Sequence, residues 1–387
     1  MSTVLLSVGD ASGDVYASDF VRELRALRPE MQFVGLGGAE MAKAGVEIVA
    51  DQRDVAVGGL LELLPDLHRI VRTWRRMVGA LRARRPDLVV LVDSSGFNIP
   101  FARRARRLGI PTLYYVSPQV WGWRTRRIRK IARWVNRLAV IFPFEPAVYA
   151  DTGVCVEFVG HPLVERLRES SARLDRGSAR SALGLASNAS VVALLPGSRR
   201  SEMRHLLPLH LDTARVLHAR DPRICFVLPR ASSVEPASLD EQIRRAKLPS
   251  LLELVVVDGR AHEVLCAADA ALLKPGTSTL EAALLGCPAV VAARASRLTA
   301  ALLRRLVVVD SLTMPNLIAG EPIVPEFLQE QADPERIADA VQSLLAGPAR
   351  ERQLARFAGL RESLSQGGAA RRAAEIAAEM IVARLGA

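Results

Sequence analysis

Val191–Leu195 is an unbroken apolar run that stops at Pro196-Gly197-Ser198-Arg199, and Ser201 and Glu202 then lead into a helical stripe through Met203, Leu206, Leu207, Leu209 and Leu211. A strand buried on both faces, a glycine turn and a helix start leave backbone N–H groups unpaired at the positive end of a helix dipole. That is a seat for phosphate. Arg199 adds a guanidinium, whose charge-assisted bond contributes roughly 1.5–3 kcal/mol when shielded from water. The competing reading is an ordinary strand-to-helix turn with a surface arginine. The pattern returns at Ala270–Leu273, where Lys274-Pro275-Gly276-Thr277-Ser278-Thr279-Leu280-Glu281 follows the strand. Thr277 and Ser278 suit both helix capping and anion binding. Glu281, about one turn on, suits either a pair of ribose hydroxyls or simple compensation of the helix dipole.

The first half of the chain carries acidic strand ends instead. Thr3–Val8 runs into a glycine-bearing loop, Gly9-Asp10-Ala11-Ser12-Gly13-Asp14, and Asp87–Val92 runs into Asp93-Ser94-Ser95-Gly96-Phe97-Asn98. The carboxyl edge of a parallel sheet is where α/β proteins place their chemistry. Asp93 serves equally well to bond loop amides. The first loop lacks Gly-x-Gly-x-x-Gly, so a dinucleotide site is not expected. Thr112–Val116 ends in Ser117-Pro118-Gln119-Val120-Trp121-Gly122-Trp123-Arg124, and Val156–Val159 in Gly160-His161-Pro162. His161 reads as a turn histidine, with a role as base the lesser alternative. Arginines interleaved with tryptophans raise nucleic-acid binding. No RRM, KH or zinc-finger signature accompanies them, and nucleic acid is not expected as a partner.

The elements that position these residues follow a βα rhythm. In the first half, Val15–Leu27 is a helix, Gln32–Leu36 a strand, Phe101–Leu108 a basic helix and Leu138–Phe142 a strand. Arg126–Trp134 turns Ile128, Ile131 and Val135 inward. Ser170–Ser190 is polar and reads as the interdomain linker. In the second half, strands at Ile224–Leu228, Leu254–Val257 and Pro288–Ala292 alternate with helices at Leu239–Lys247 and His262–Ala268, and Leu312–Gly320 reads as a loop. This alternation predicts parallel sheets. The expected division is 1–168, 169–355 and 356–387, the last a helical tail that returns to the first domain or pairs with a second copy. The sharpest helix is Leu67–Leu81, with Leu67, Ile70, Val71, Trp74, Met77, Val78 and Leu81 on one face. Arg69, Arg72, Arg75, Arg76 and Arg82 cover the other, as on a surface helix packed on a sheet or a basic face against anionic lipid. The apolar Val55–Leu64 before it suits a rim that receives acyl chains.

The chain has 387 residues, enough for two cores, and is 50% hydrophobic and 24% charged, which excludes a disordered chain. Its formal net charge of +11 suits an anionic partner. The four cysteines, Cys155, Cys225, Cys266 and Cys287, show no Cys-x-x-Cys spacing and read as small buried hydrophobes in a reducing compartment. Histidines form no metal-ligand pattern, so no metal and no cofactor is expected. Apolar runs are too short for a signal peptide or membrane span, so a cytoplasmic protein is expected, with room to lie on a membrane surface.

Two α/β halves, with paired phosphate seats in one and acidic strand ends in the other, resemble the GT-B glycosyltransferases. The expected fold is two Rossmann-like parallel-sheet domains facing across a cleft. The resemblance sharpens at Gly9–Asp14, Tyr115–Arg124, Gly160–Pro162, Leu195–Arg199, Gly276–Glu281, Pro315–Gly320 and Pro325–Gln329. In that order these stretches are similar to the lipid-A-disaccharide synthases.

The resemblance implies an inverting, metal-independent hexosyltransferase. It moves 2,3-diacylglucosamine from UDP to the 6-hydroxyl of 2,3-diacylglucosamine 1-phosphate, peripherally at the inner membrane; pairing of the helical tail with a second copy would make a homodimer. It places UDP-sugar on Gly197, Ser198, Arg199, Glu202, Gly276, Thr277, Ser278, Glu281 and Asn316, with Arg199 and the Gly197–Ser198 turn on the diphosphate. Glu281 would hold the ribose and Asn316 the sugar–phosphate junction. Ser12, Gly13, Asn98, Ser117, Gln119 and Trp121 fall to the acceptor or its loops.

One departure stands out. The family reads Asp-x-Pro-Asp-Phe-Asn after the strand, and its second aspartate is a candidate base; here that position is Gly96. Glycine accepts no proton, so Asp93 or Asp10 takes the role, or turnover is impaired. A different GT-B UDP-sugar transferase, a UDP-sugar epimerase and a UDP-lipid-binding homologue without turnover are the alternatives.

Overall fold

The computed structural model describes residues 2–55, 63–122, 125–171, 175–294, 311–365 and 368–386. Residues 56–62 of the apolar Val55–Leu64 stretch, and Trp123 and Arg124, lie outside the described residues. The chain divides into two compact units, Met1–Glu165 with Leu364–Ala387, and Arg166–Ser363.

Among the described residues unit one holds seven strands: β1 (Thr3–Val8), β2 (Gln32–Gly37), β3 (Glu47–Asp51), β4 (Leu88–Val92), β5 (Thr112–Tyr115), β6 (Arg137–Val140) and β7 (Cys155–Phe158). Their order is β3-β2-β1-β4-β5-β6-β7, all parallel. The central strands are continuous apolar runs because helices cover both faces; every residue of Leu88–Val92 is fully buried. The order reverses between β1 and β4, whose ends are level, Val8 opposite Val92. A reversal opens a crevice at the carboxyl ends of the two strands.

Helices α1 (Ala11–Leu27), α2 (Ala39–Lys43), α3 (Leu63–Arg84), α4 (Ser95–Arg107), α5 (Arg126–Trp134) and α6 (Glu145–Val148) connect these strands, and α7 (Pro162–Ser171) follows β7. Both acidic loops are shorter than expected. Ala11–Asp14 already forms the first turn of α1, because the Asp10 carboxylate accepts from the Gly13 N–H at 2.6 Å and caps the helix. α4 likewise begins at Ser95. On α3, Met77 and Leu81 are buried as the stripe predicts, but Leu67 is 54% and Val71 40% exposed. The Ala369–Leu385 helix packs on α1, with Ala369 N–H bonded to Glu165 Oε1 at 2.6 Å and Arg372 paired with Glu157.

Unit two holds β8 (Ser190–Leu195), β9 (Ile224–Arg230), β10 (Leu254–Asp258), β11 (Ala270–Leu273), β12 (Ala289–Ala293) and β13 (Glu326–Leu328), parallel in the order β10-β9-β8-β11-β12-β13. The reversal falls between β8 and β11, with Leu195 level with Leu273. Its helices include α8 (Arg176–Ala182), α9 (Arg200–Arg220), α10 (Pro236–Ala246), α11 (Ala261–Ala267) and α12 (Thr277–Leu285). The polar Ser170–Ser190 stretch is not a plain linker. It carries α8, whose Arg180 is buried against Asp269 at 2.9 Å. The expected Leu312–Gly320 loop contains a short helix, Met314–Ala319. Cys225 and Cys287 are buried, whereas Cys155 is exposed.

Candidate active site

In unit one the crevice between β1 and β4 brings Asp10 and Asp93 together. A Cβ at Gly9 would stand 2.1 Å from the Ser94 Cβ, so glycine is what lets the two strand exits meet. Asp93 and Ser94 hold left-handed backbone, φ 48° and 45°, which is strained for residues with a side chain. Asn98 over-determines that turn. Its amide donates to the carbonyls of Ser7 (3.1 Å), Val92 (3.0 Å) and Asp93 (2.9 Å), and its Oδ1 accepts from Ser7 Oγ at 2.6 Å. Tyr114 hydroxyl donates to the Asp93 carbonyl at 2.5 Å.

Burial, then the neighbouring Asp10 carboxylate and a hydrogen bond between the two carboxyls, pushes Asp93 up to about 7, against a lesser pull from the Ser94 N–H. Two carboxyls in contact cannot both ionise easily, and Asp93 keeps its proton to near neutrality. Above that pH it is a stronger proton acceptor than an ordinary carboxylate. Gly96, where the family pattern has aspartate, has open space around its Cβ position. Ser12 is exposed on the first turn of α1, while Gly13 is buried with its N–H held by Asp10.

The Ser117–Gly122 loop is anchored at both ends. Val116 has φ 59°, a strained conformation for a β-branched residue. Ser117 is buried, its Oγ 2.8 Å from the Tyr149 hydroxyl. Gln119 is exposed. Trp121 donates its indole N–H to Glu145 Oε1 at 3.3 Å and stacks edge-on to Phe144 with centroids 4.9 Å apart. Glu145 is fully buried and accepts from the N–H groups of Ile141 and Phe142 at 3.1 and 3.0 Å. Burial pushes it up to about 7 despite those bonds. His161 is a brace: burial holds it down to about 3, and Nδ1 accepts from the Leu163 N–H at 3.1 Å.

In unit two the crevice between β8 and β11 sets the glycine turns side by side, and they differ. At the first, the N–H groups of Ser198 and Arg199 are taken by the protein itself: both donate to Glu202 Oε2, at 2.9 and 3.2 Å. Gly197, φ 136°, leaves room for that carboxylate, which would lie 2.5 Å from a Cβ there. Burial opposes ionisation of Glu202, yet Lys274 and these amides hold it below the usual range. The Arg199 guanidinium remains exposed. At the second turn, Gly276 has φ 144°, open to glycine alone, and no side chain caps α12. Ser278 Oγ is buried there without a partner, and Thr277 is exposed. Lys274 Nζ reaches Glu202 Oε1 at 3.1 Å and so joins the two turns. Glu281 Oε1 lies 3.5 Å from His262 Nε2. Among the described residues no cluster of three or more His, Cys, Asp or Glu is arranged to hold a metal ion.

A family profile described as lipid-A-disaccharide synthetase matches residues 4–381. The lipid-A-disaccharide synthase of Geobacter metallireducens is 42% identical over 98% of this chain and 97% of its own. The chain belongs to the lipid-A-disaccharide synthase family. Among solved structures, the kitacinnamycin glycotransferase is similar at TM-score 0.65 and 19% identity, covering 98% of each chain. The Staphylococcus aureus MnaA–UDP co-structure is similar at TM-score 0.65 and 12% identity, covering 96% of this chain and 94% of that one. The fold is thus GT-B, and this family's enzymes are glycosyltransferases.

For this member of the lipid-A-disaccharide synthases, the structure spends some expected ligand groups on the protein itself. Asn316 is buried, with its Nδ2 on the Val324 carbonyl (2.9 Å) and Glu326 Oε1 (3.0 Å) and its Oδ1 accepting from the Val324 N–H at 2.7 Å. Glu326 also binds Ser311 Oγ and the N–H groups of Leu312 and Thr313, both at 3.0 Å. Asn316 and Asn98 therefore act as internal pins, because a buried amide must be paired. The residues that sequence reasoning passed over are Lys274, Glu145, His262 and Glu326. Only Lys274 carried a usable signal, a lone cation at the exit of a buried strand.

Proposed function

We propose that the chain transfers 2,3-diacylglucosamine from UDP to the 6-hydroxyl of 2,3-diacylglucosamine 1-phosphate with inversion. The products are the β(1→6) disaccharide 1-phosphate and UDP. The observation that carries this reading is the Asp10–Asp93 pair at the reversal of the first sheet. Asp93, ionised, takes the proton of the acceptor hydroxyl as its oxygen bonds to the anomeric carbon and the bond to UDP breaks. Asp10 tunes it as the adjoining carboxyl. Negative charge gathering on UDP is met by the uncapped N–H groups of α12, Ser278 Oγ, Lys274 and the exposed Arg199. Glu281 is placed on the ribose.

Peripheral attachment to the membrane fits the exposed Leu67 and Val71 beside Arg69, Arg72, Arg75 and Arg76. Among the described residues no helix is long and apolar enough to cross a membrane.

The test is to supply both lipid substrates to the purified chain and identify products by mass spectrometry. The disaccharide is expected, with its rate sharply reduced in Asp93→Asn. UDP binding without disaccharide would mark an impaired homologue, and a free epimerised sugar an epimerase. Unchanged rates in Asp93→Asn and Asp10→Asn would remove the pair from the mechanism. Gly96→Asp, for which there is room, tells whether the family's usual carboxylate adds to turnover.

A further inference from the structure

Unit one has a groove of about 800 Å³ between α3, α4 and α5. Arg103, Arg104 and Arg107 of α4 line it from one side, and Arg129, Lys130 and Arg133 of α5 from the other. Among the described residues no carboxylate lines the groove and none of these cations forms an ion pair. Arg104 Nε is buried without a hydrogen-bond partner. The apolar wall is Trp74, Ile99, Pro100 and Trp134. Trp134 is flanked by two guanidiniums, Arg103 at 5.4 Å and Arg133 at 4.9 Å from its ring centroid. Trp74 is fixed edge-on to Phe97 and Phe101, with centroids 5.4 and 6.0 Å away.

Like charges gathered without counter-charge repel one another, and a bound anion relieves that repulsion. Guanidinium forks match phosphate oxygens two at a time. The location narrows the source of the phosphate. Pro100, Arg103, Arg104 and Arg107 follow helical spacing along one face of α4, and Gly96 stands one turn earlier on that face with open space at its Cβ position. At about 1.5 Å per residue, Pro100 to Arg104 lie roughly 7–14 Å along the helix from Ser95. Ser95 follows the Asp93 turn, and its Oγ accepts from Arg127 of α5 at 2.6 Å, which ties the heads of both helices to the carboxyl end of the sheet. The groove therefore runs away from the carboxyl pair along a single open helix face.

We propose that this groove is the subsite for the acceptor's phosphate, held by the unpaired arginines of α4 and α5 while the acceptor hydroxyl lies at Asp93. This rests on the substrate reading above and adds to it the residues that recognise a phosphorylated acceptor. A bilayer phospholipid offers the same phosphate chemistry, but nothing ties it to the face that leads from the reacting end.

The test measures binding of the acceptor monosaccharide, without donor, by calorimetry in neutral detergent micelles, alongside the same compound lacking its phosphate. The wild-type chain is expected to bind the phosphorylated form 10–100-fold more tightly. Arg103→Gln/Arg104→Gln is expected to bind both forms alike, with UDP affinity and thermal midpoint unchanged. Arg104→Lys, which keeps the charge and loses the fork, is expected to fall between them. No preference in the wild-type chain, or full preference retained in the double variant, overturns the proposal. So does a double variant that loses sedimentation with anionic phospholipid vesicles while its preference for the phosphorylated acceptor persists, since the groove would then hold bilayer phosphate. A wild-type chain that makes no disaccharide defeats the substrate reading instead, and the binding comparison is read independently of it.

Discussion

The two sheets reverse strand order in the same way and use the crevice for opposite electrostatic ends. At β1 and β4 the crevice is acidic, and two half-buried carboxyls meet across a turn braced by Asn98 and Tyr114. At β8 and β11 it is rich in donors, with a free helix start, an unpaired Ser278 hydroxyl and Lys274 between the turns. Topology opens the crevice; the residues just past each strand decide what it binds. Even within unit two, Glu202 folds back and closes the first helix start, whereas Glu281 turns toward His262 and leaves the second open. The difference is one of spacing. Glu202 is the third residue of its helix and reaches back to the N-cap, while Glu281 lies further along α12.

This contrast can be broken from either side. The largest effect is expected at the acidic end, where Asp93→Asn lowers turnover by about 10²–10⁴-fold, the usual worth of a positioned base. UDP affinity, read by calorimetry, stays at the wild-type value. Next is Lys274→Met, which weakens UDP binding by roughly 10–100-fold through loss of one charged hydrogen bond. The pH profile of turnover should not move. If Lys274→Met leaves UDP affinity intact, the donor-rich crevice is not the nucleotide seat.

The third prediction concerns pH. The Asp93 carboxyl stands at about 7 in the folded chain against an ordinary 3.8, and Glu145 at about 7 against 4.5. Between those values the native state keeps protons that the unfolded chain has released. Stability therefore falls as pH rises from about 4 to 7, by up to roughly 1.4 kcal/mol per pH unit for each group. Denaturant titrations at pH 4.5 and 7 check the sign, and Asp93→Asn should flatten the slope. Turnover moves the other way, rising with pH through about 7 as the base ionises. The smallest effect is Ser278→Ala, with UDP bound up to about 10-fold less tightly and stability unchanged or slightly higher, since the lost hydroxyl bonds nothing in the unliganded protein.

Much of this was legible in residue order. Apolar runs such as Leu88–Val92 and Val191–Leu195 announce strands covered on both faces, and their alternation with amphipathic stretches predicts parallel sheets. The glycine turns and both aspartates were visible too, since each lies within a few residues of a strand's end. The roles of side chains were harder. Asn98 and Asn316 read as ligand groups in sequence, yet the structure bonds the first to Ser7, Val92 and Asp93 and the second to Val324 and Glu326. Glu145 carries no local sign of burial, because the Ile141 and Phe142 amides that hold it are presented by a backbone turn. The apolar stripe of α3 predicted seven inward residues, whereas its first part is left exposed at Leu67 and Val71.

Sequence alone determined the strands, the glycine turns and the family, because these depend on local periodicity and on motifs that survive without coordinates. Tertiary structure alone decided that Asp10 stands against Asp93 and raises it, that Lys274 bridges two turns and that the arginines of α4 and α5 face one groove. The reason is distance. Charge, hydrogen bonding and desolvation act through space over a few ångströms, and the partners they join lie tens of residues apart along the chain.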